Sequence, residues 1–195
     1  MDKCRTGRNG AVELQIEMML NVEFLKHVEL LTPKSQPVFF EELWQQSPVV
    51  LSLVRHFGCI FCFELSSDLL DLRDKIQEHG AELALVGNGN PIHAMEFMSQ
   101  LGLTRGVYTD PGRVLYKGLQ MAQGVRSSIN LSSTIHVKRA IERGFRQRRI
   151  QGDPWQQGGV MLIRKNGEVP WLYRSKVAGD HPSTDEIVRA LSTHL

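Results

Sequence analysis

The chain has 195 residues and a formal net charge of +2 at pH 7. This length allows one well-buried core and is short for two, and the ordinary fractions of apolar and charged residues are typical of globular proteins. No apolar run approaches the roughly 18 residues of a transmembrane helix, so no membrane span is expected. The nearly balanced charge and the lack of a recognised binding motif give no reason to expect nucleic-acid binding.

The N-terminus, MDKCRTGRNGAVELQIE, lacks the continuous apolar stretch and the small-residue cleavage site of a secretory signal. We therefore expect a cytoplasmic location. The chain has three cysteines, and such a small and odd number does not indicate a disulfide framework. From the patterns below, residues 1–24 are assigned to an N-terminal arm and residues 25–195 to a single domain.

The first half of that domain predicts alternating strands and helices. Two short apolar stretches around a Thr-Pro-Lys-Ser turn, within KHVELLTPKSQPVFFEELW, predict a small hairpin. Residues 49–54 are rich in Val and Leu, as in a central strand that is covered on both faces. A helix that ends at Gly80 follows. Its predicted inner face consists of Cys62, Leu65, Leu69, Leu72 and Ile76.

The same alternation continues with a buried strand over residues 82–86 and a helix that Asn90 caps and Pro91 begins. A brief third strand lies at residues 107–108. Strands that alternate with helices in this way indicate an α/β layer. The second helix is predicted to bury Ile92, Met95, Met98 and Leu101.

The C-terminal region predicts a hairpin and a helix. Residues 160–164 and 169–174 flank the dipeptide at residues 166–167, Asn-Gly, which is a strong hairpin signal. Ser183 and Glu186 form a capping box that begins the final helix.

Two cysteines, Cys59 and Cys62, form a CxxC motif where the first buried strand meets its helix. At a helix N-terminus, free N–H groups and the helix dipole favour a thiolate, whose pKa can fall to roughly 3.5–7.5. Cys59 is therefore the candidate nucleophile. Cys62 lies about one turn further on, and it can resolve a sulfenic acid or mixed disulfide on Cys59. Arg55 and His56 precede the motif, and either can stabilise the thiolate, but their side chains leave the strand in opposite directions.

Two other interpretations of the motif stay open. Free cysteines are often simply buried in a core, which needs no chemistry. A zinc site needs about four ligands. The scattered His56, His93 and Cys4 supply no second ligand pair, so we expect no bound metal.

Three separated segments share their order and spacing with one known family. They are VVLSLVRHFGCIFC (49–62), VYTDPGRVLYKGLQM (107–121) and QGDPWQQGGVMLI (151–163). They resemble the peroxiredoxin-like 2 family of AhpC/TSA antioxidant-domain proteins, over roughly residues 25–192. The resemblance implies a thioredoxin-like α/β fold, in which a central mixed sheet is flanked by helices, with an N-terminal extension and a helical insertion before the C-terminal β-hairpin.

The resemblance also implies thiol-dependent reduction of a peroxide, with Cys59 as the peroxidatic cysteine and Cys62 as its partner. Relatives include prostamide or prostaglandin F synthases, which reduce an endoperoxide. The sequence departs from typical peroxiredoxins at His56, where they carry Thr or Ser. It departs from thioredoxins at Gly158 and Gly159, in the place of a cis-proline. Glycines admit a close ligand, so both are candidate substrate-binding residues, and a packing requirement is the alternative.

An insertion at about residues 121–156 contains the most basic stretch of the chain. A helix is predicted there, and a cationic rim beside the cysteines would attract anionic substrates or partners. A solvated helix face and contact with a membrane surface are the alternatives. Its predicted inner face is Ile135, Val137, Ala140, Ile141 and Phe145. The basic residues are Arg126, Lys138, Arg139, Arg143, Arg146, Arg148 and Arg149, against one acid, Glu142.

The function expected from the sequence is that of a thiol-dependent oxidoreductase without a bound cofactor. A CxxC dithiol would reduce hydrogen peroxide, a lipid hydroperoxide, an endoperoxide or a disulfide, and a thioredoxin or glutathione system would restore it. The competing hypothesis is a redox-sensing or partner-binding module of low turnover. The sequence does not determine the oligomeric state.

Overall fold

The computed structural model of the chain describes residues 22–124 and 131–195. Nearly all of the predicted N-terminal arm, together with Cys4 and Arg126, lies outside these ranges. The strands are β1 (Glu29–Leu31), β2 (Pro37–Phe39), β3 (Val49–Leu53), β4 (Glu82–Gly87), β5 (Val107–Thr109), β6 (Gly159–Ile163) and β7 (Trp171–Arg174). The helices are α1 (Ile60–Asp71), α2 (Arg73–Glu78), α3 (Pro91–Gln100), α4 (Val114–Gly118), α5 (Leu131–Glu142) and α6 (Thr184–His194), with a 3-10 helix at Phe40–Leu43.

The strands form one mixed sheet in the order β2-β1-β5-β4-β3-β6-β7. β3, β4 and β5 are parallel, whereas β6 pairs antiparallel with β3, so that Val49 lies opposite Ile163 and Leu53 opposite Gly159. β7 completes the predicted C-terminal hairpin, and β1 and β2 form the predicted N-terminal one. This arrangement confirms the thioredoxin-like fold class.

Both faces of the sheet are buried, as the apolar run of β3 predicted. All five residues of β3 are buried, because side chains of a strand alternate between two covered faces. On one face Val50 and Leu85 pack with α1, α3 and α6, and on the other Leu51 and Val86 pack with α4 and the 3-10 helix. Packing on both faces therefore holds β3 in place. The segment that leads to the CxxC motif begins at the end of this strand.

The predicted helices are present, with two differences in detail. The first predicted helix is divided at Leu72 into α1 and α2, although its whole predicted inner face is buried. For α3 the predicted face was wrong in part, since Ile92 and Met95 are exposed and Ala94 and Phe97 are buried instead. The capping residues Asn90 and Ser183 accept hydrogen bonds from the backbone as predicted.

The insertion contains the predicted helix as α5, but the helix presents a different face to the core. Ala140 is fully buried and Phe145 partly so, whereas Ile135, Val137 and Ile141 are exposed. α5 packs on α1, the helix that follows the CxxC motif. Within the described ranges, no helix is long and apolar enough to cross a membrane.

Candidate active site

Cys59 is the N-cap residue of α1, just beyond the end of β3. Its backbone is extended (φ −76°, ψ 127°), and its N–H donates to the carbonyl oxygen of His56 at 3.1 Å. The Cys59 carbonyl accepts from the N–H of Cys62 at 3.0 Å, which begins the helix. The CxxC motif therefore stands at the N-terminus of α1, where the backbone N–H groups of the first turn lie close to the first cysteine.

The two sulfurs lie within hydrogen-bonding reach of each other, and both cysteines are free thiols. The Cys62 thiol donates to the Cys59 sulfur. Arg55 contacts both, because its Nη1 donates to Cys59 Sγ at 3.4 Å and its backbone N–H donates to Cys62 Sγ at 3.2 Å. Cys59 is 1% and Cys62 4% exposed. Three predicted site residues thus meet in one buried cluster.

The environment separates the acidities of the two thiols. Burial raises the pKa of Cys59, but the hydrogen bond from Cys62, the charge of Arg55 and the N–H groups of Cys62 and Phe61 outweigh it and bring the pKa to about 6. Burial raises the pKa of Cys62 well above its usual value, and the bond to Cys59 and the charge of Cys59 raise it further. Near neutral pH the cluster is a thiolate on Cys59 and a thiol on Cys62.

Backbone carbonyls hold the Arg55 guanidinium in place. Its Nη2 donates to Pro154 O at 2.6 Å and its Nε to Gln156 O at 3.2 Å. Asn88 Nδ2 donates to the Arg55 carbonyl at 2.5 Å, which fixes the backbone as well. The cation is consequently directed at Cys59 by the fold.

The His56 ring contacts the backbone of the CxxC loop. Its Nδ1 accepts from the N–H of Gly58 at 3.2 Å, so the ring is used to shape the loop. Burial, and then the charge of Arg55, lower the pKa of His56 to about 4. The ring is therefore neutral at pH 7 and supplies no positive charge. Of the two side chains considered for this role, that of Arg55 bonds the Cys59 sulfur, and a role of the His56 side chain stays a prediction.

Gly158 and Gly159 lie beside Cys62, at the start of β6. A Cβ on Gly158 would collide with the Leu53 carbonyl, and one on Gly159 with the Tyr173 carbonyl. Neighbouring strands therefore require glycine at both positions. The pocket that they line with Cys62 has a volume of about 20 Å³, which is roughly the space of one water molecule. The geometry supports the packing alternative, and a substrate-binding role stays a prediction.

A segment of the insertion, residues 146–156, crosses over the CxxC loop, and we call it the strap. Gln147 contacts the loop twice, since its Nε2 donates to Gly58 O at 2.8 Å and its Oε1 accepts from the Ile60 N–H at 3.2 Å. The Arg148 N–H also donates to Gly58 O, at 3.0 Å. The Gln147 side chain thus accepts a hydrogen bond from a backbone N–H in the first turn of α1.

The strap packs so closely that the loop has no room for a side chain at Gly58. A Cβ there would collide with the Arg149 carbonyl. Phe57 donates its N–H to Gln151 O at 3.1 Å, which adds a further backbone contact. The strap therefore accounts for much of the burial of Cys59.

A buried carboxylate, Glu64, attaches α5 to the CxxC helix, and the sequence analysis did not single it out. Glu64 lies on α1 and accepts from Arg139 at 2.8 and 3.0 Å and from Arg143 at 3.0 Å. His181 Nε2 lies 3.3 Å from its Oε2, and Arg143 also pairs with Asp68. Two residues of the predicted cationic rim are therefore neutralised within the fold. The available signal was an acidic residue inside the apolar stretch IFCFEL.

Sequence comparison relates most of the chain to known proteins. Residues 68–177 match the family described as AhpC/TSA antioxidant enzyme. The zebrafish (Danio rerio) prostamide/prostaglandin F synthase is 29% identical over 82% of this chain and 82% of its own. Human peroxiredoxin-like 2C is 28% identical over 82% of this chain and 75% of its own.

Structure comparison shows the same fold at lower identity. The crystal structure of peroxidoxin BcpB from Mycobacterium tuberculosis superposes with a TM-score of 0.62 and 13% identity, over 86% of this chain and 92% of its own. The family match begins on α1 after both cysteines, so the chemistry of the CxxC motif depends on the geometry described above.

Proposed function

Because the chain belongs to the AhpC/TSA antioxidant enzyme family, we propose that it is a thiol-dependent peroxidase in which Cys59 attacks the peroxide and Cys62 closes a disulfide. The observation that carries the proposal is the Arg55–Cys59–Cys62 cluster at the start of α1. A thiolate, and not a thiol, is the nucleophile in such reactions.

In the first step the Cys59 thiolate attacks one oxygen of the O–O bond. An S–O bond forms, the O–O bond breaks, and the second oxygen leaves as an alcohol or water after it takes a proton. Cys59 is oxidised to a sulfenic acid and the peroxide is reduced by two electrons. Arg55, which is directed at the sulfur, is placed to stabilise negative charge on the oxygens during the transfer.

In the second step Cys62 attacks the sulfenic sulfur of Cys59. An S–S bond forms, the S–O bond breaks, and water leaves with the proton of Cys62. The negative charge of Cys59 is one reason why the pKa of Cys62 is high. Oxidation of Cys59 removes that charge, so Cys62 becomes easier to deprotonate when it is needed. An external dithiol then returns two electrons and two protons and restores both thiols.

The closed site favours a small peroxide over a bulky one. Both sulfurs are buried and the adjoining pocket holds about 20 Å³, so a lipid hydroperoxide or an endoperoxide requires the strap to move. The names of the relatives, peroxiredoxin-like 2C and prostamide/prostaglandin F synthase, support peroxide O–O bonds as the substrate class. We propose hydrogen peroxide as the best substrate of the closed form.

Turnover measurements test the proposal. A Cys4→Ser background removes the third cysteine, and NADPH oxidation is followed with thioredoxin, its reductase and hydrogen peroxide, a lipid hydroperoxide or an endoperoxide. We expect turnover that Cys59→Ser abolishes and that Cys62→Ser reduces strongly. Activity that survives in Cys59→Ser would refute the proposed nucleophile.

A second function, a redox-sensing module of low turnover, is favoured by one observation. Cys59 and Cys62 are almost completely buried beneath the strap, which slows the access of any reductant. A sensor would be oxidised once by peroxide and recover slowly with every reductant. Repeated rapid cycles with thioredoxin would exclude this alternative.

A further inference from the structure

Within the described part of the chain, one group of arginines pairs with carboxylates and a second group, three arginines of the strap, does not. Arg146, Arg148 and Arg149 are exposed, and no carboxylate in the described part of the chain lies within ion-pair distance of them. In the other group each arginine pairs with a carboxylate. Arg139 and Arg143 pair with Glu64, and Arg143 also pairs with Asp68. Arg113 pairs with Asp153, Arg164 with Glu168 and Arg105 with Glu82.

These three arginines lie on the strap, whose backbone contacts the loop just before the reactive cysteine. The Arg148 N–H bonds the Gly58 carbonyl, which belongs to the residue before Cys59. Two large apolar side chains of the strap, Ile150 and Trp155, are 58% and 39% exposed. A cationic surface with exposed apolar residues thus covers the thiolate, a combination that is typical of protein interfaces.

Other contacts of these arginines leave their charges in solvent. Arg146 donates to the carbonyls of Ile141 and Phe145 at 3.1 and 2.8 Å, which ends α5 but neutralises nothing. The Arg148 guanidinium lies 4.8 Å above the ring of Phe63. Together with Phe145 and Leu70 these two arginines line a surface cavity of about 330 Å³. The surface is therefore concave, apolar at its floor and positive at its rim.

We propose that the outer face of the strap is the docking surface for an acidic protein dithiol that reduces the Cys59–Cys62 disulfide. The proposal rests on the proposed function, which needs an external supply of two electrons and two protons. One thiolate of the partner attacks the disulfide and forms a mixed disulfide, and its second thiol displaces the enzyme, so the partner leaves oxidised. A partner that reaches the sulfurs must displace or contact the strap.

The charge and size of the surface favour a protein over a membrane. Anionic lipid attracts a basic residue by only about 1 kcal/mol, so three arginines without a long apolar face give weak membrane binding. Complementary charge on a protein raises the association rate at low salt, by tenfold or more. The expected signature is a rate constant for reduction that depends on ionic strength.

The test measures reduction of a disulfide that was made without peroxide. In the Cys4→Ser background, diamide joins Cys59 to Cys62, and stopped-flow mixing follows the reduction by a thioredoxin with an acidic surface or by dithiothreitol. The variant is R146E/R149E. Its charge-matched control is R73E/K165E. Arg73 is exposed in a groove beside Val49, and Lys165 follows β6. Both lie near the ends of β3 and β6 that are far from the cysteines.

For R146E/R149E we expect the rate constant with thioredoxin to fall at least tenfold at low salt, and the rate with dithiothreitol to stay within about twofold of the wild type. R73E/K165E should match the wild type, as should R146K/R149K, which retains the charges in case the reversal disturbs α5. An unchanged rate with thioredoxin would overturn the proposal. The proposal would also fail if R146E/R149E lowered the rate with dithiothreitol as much as the rate with thioredoxin. It would fail as well if the wild type bound anionic vesicles, R146E/R149E did not, and the rate of reduction were the same in both.

The same experiment separates this proposal from the proposed function. A protein that is inert to peroxide, but whose diamide-formed disulfide is reduced in an arginine-dependent way, would refute the peroxidase and retain the docking surface. If diamide does not join Cys59 to Cys62, both proposals fail.

Discussion

Cys59 is charged in a place where burial alone would keep it neutral. The opposing contributions come from Cys62, Arg55 and backbone N–H groups, which are all fixed by neighbouring elements. Arg55 is the only full positive charge among them. Two side chains therefore lower the pKa of Cys59, first Cys62 through its hydrogen bond and then Arg55 through its charge.

The substitution Arg55→Met should raise the pKa of Cys59 by about 1–3 pH units, as the loss of a nearby opposite charge does. The wild-type rate of alkylation by iodoacetamide should rise through pH 6 and level off above it, because the thiolate forms as the pH passes its pKa. At pH 7 the variant should react about tenfold more slowly if the pKa moves by 2 units. An unchanged midpoint would show that Arg55 does not stabilise the thiolate.

His56→Asn provides the matched control at the neighbouring position. The histidine is neutral at pH 7 and its ring accepts the Gly58 N–H, a bond that an asparagine oxygen can also accept. We expect the midpoint of the alkylation profile to stay within about half a pH unit of the wild type, a change worth less than 1 kcal/mol. A rise as large as that of Arg55→Met would assign His56 a part in thiolate stabilisation.

One amide side chain of the strap contacts the CxxC loop twice, and we predict that it limits access to the cysteines. Gln147 joins the strap to both Gly58 and Ile60, and Gln147→Ala removes these contacts without a change of charge. The plateau rate of Cys59 alkylation at high pH should then rise several-fold, because the loop opens more often. Slower alkylation than in the wild type would contradict the role of the strap as a cover.

The ion-pair cluster at Glu64 attaches α5 to α1, and its two sides are unequal. Glu64 is fully buried whereas Arg139 and Arg143 are about 40% exposed. Removal of both arginines leaves a buried carboxylate with only His181 beside it and should cost about 3 kcal/mol of unfolding free energy. Glu64→Gln leaves two cations that water can solvate, and it should cost about 1–2 kcal/mol. Urea unfolding measures both, and the reverse order would contradict this account.

The same carboxylate predicts a pH dependence of stability. Burial raises the pKa of Glu64, but His181 and Arg139 lower it to about 2. Since the folded pKa lies below that of an unfolded glutamate, the stabilisation is complete above about pH 4.5 and is lost as the pH falls toward 2. Glu64→Gln should lose less unfolding free energy than the wild type over this range. Parallel curves for the two proteins would refute the prediction.

Elements with a clear apolar pattern could be predicted from the sequence, and long-range pairs could not. The run of β3, the caps at Asn90 and Ser183 and the Asn-Gly hairpin depend on local physics, and they are present. The predicted inner face of α3 was wrong in part. The apolar pattern favoured Ile92, which has a large apolar side chain but is exposed, over Ala94, which is small but buried. Glu64 was missed because its partners are some 75 residues away in the chain, and no local pattern records them.

The site shows the same division. The CxxC motif was predicted from its spacing and its place between a strand and a helix, and Arg55 and His56 from their place before it, but the choice of Arg55 over His56 depends on contacts with Pro154 and Gln156. Those contacts arise only when the insertion folds over the loop. The sequence predicted a cationic rim beside the cysteines, but it does not show that Arg139 and Arg143 are paired with carboxylates.

The whole molecule combines a central sheet that is buried on both faces with an insertion that packs over the CxxC loop. β3 is buried on both faces and holds the cysteines at its end, whereas α5 and the strap come from the insertion and attach through Glu64 and Gln147. The sheet positions both cysteines, and the strap packs against the loop that leads to Cys59.

The central claim is that Cys59 is oxidised by peroxide and Cys62 then bonds to it. Intact-mass spectrometry after one equivalent of hydrogen peroxide, in the Cys4→Ser background, tests this most directly. The protein should lose the mass of two hydrogen atoms and resist alkylation at both sites, whereas Cys62→Ser should gain one oxygen atom on Cys59. If the mass is unchanged and both thiols still alkylate, the two sulfurs do not perform the proposed reaction.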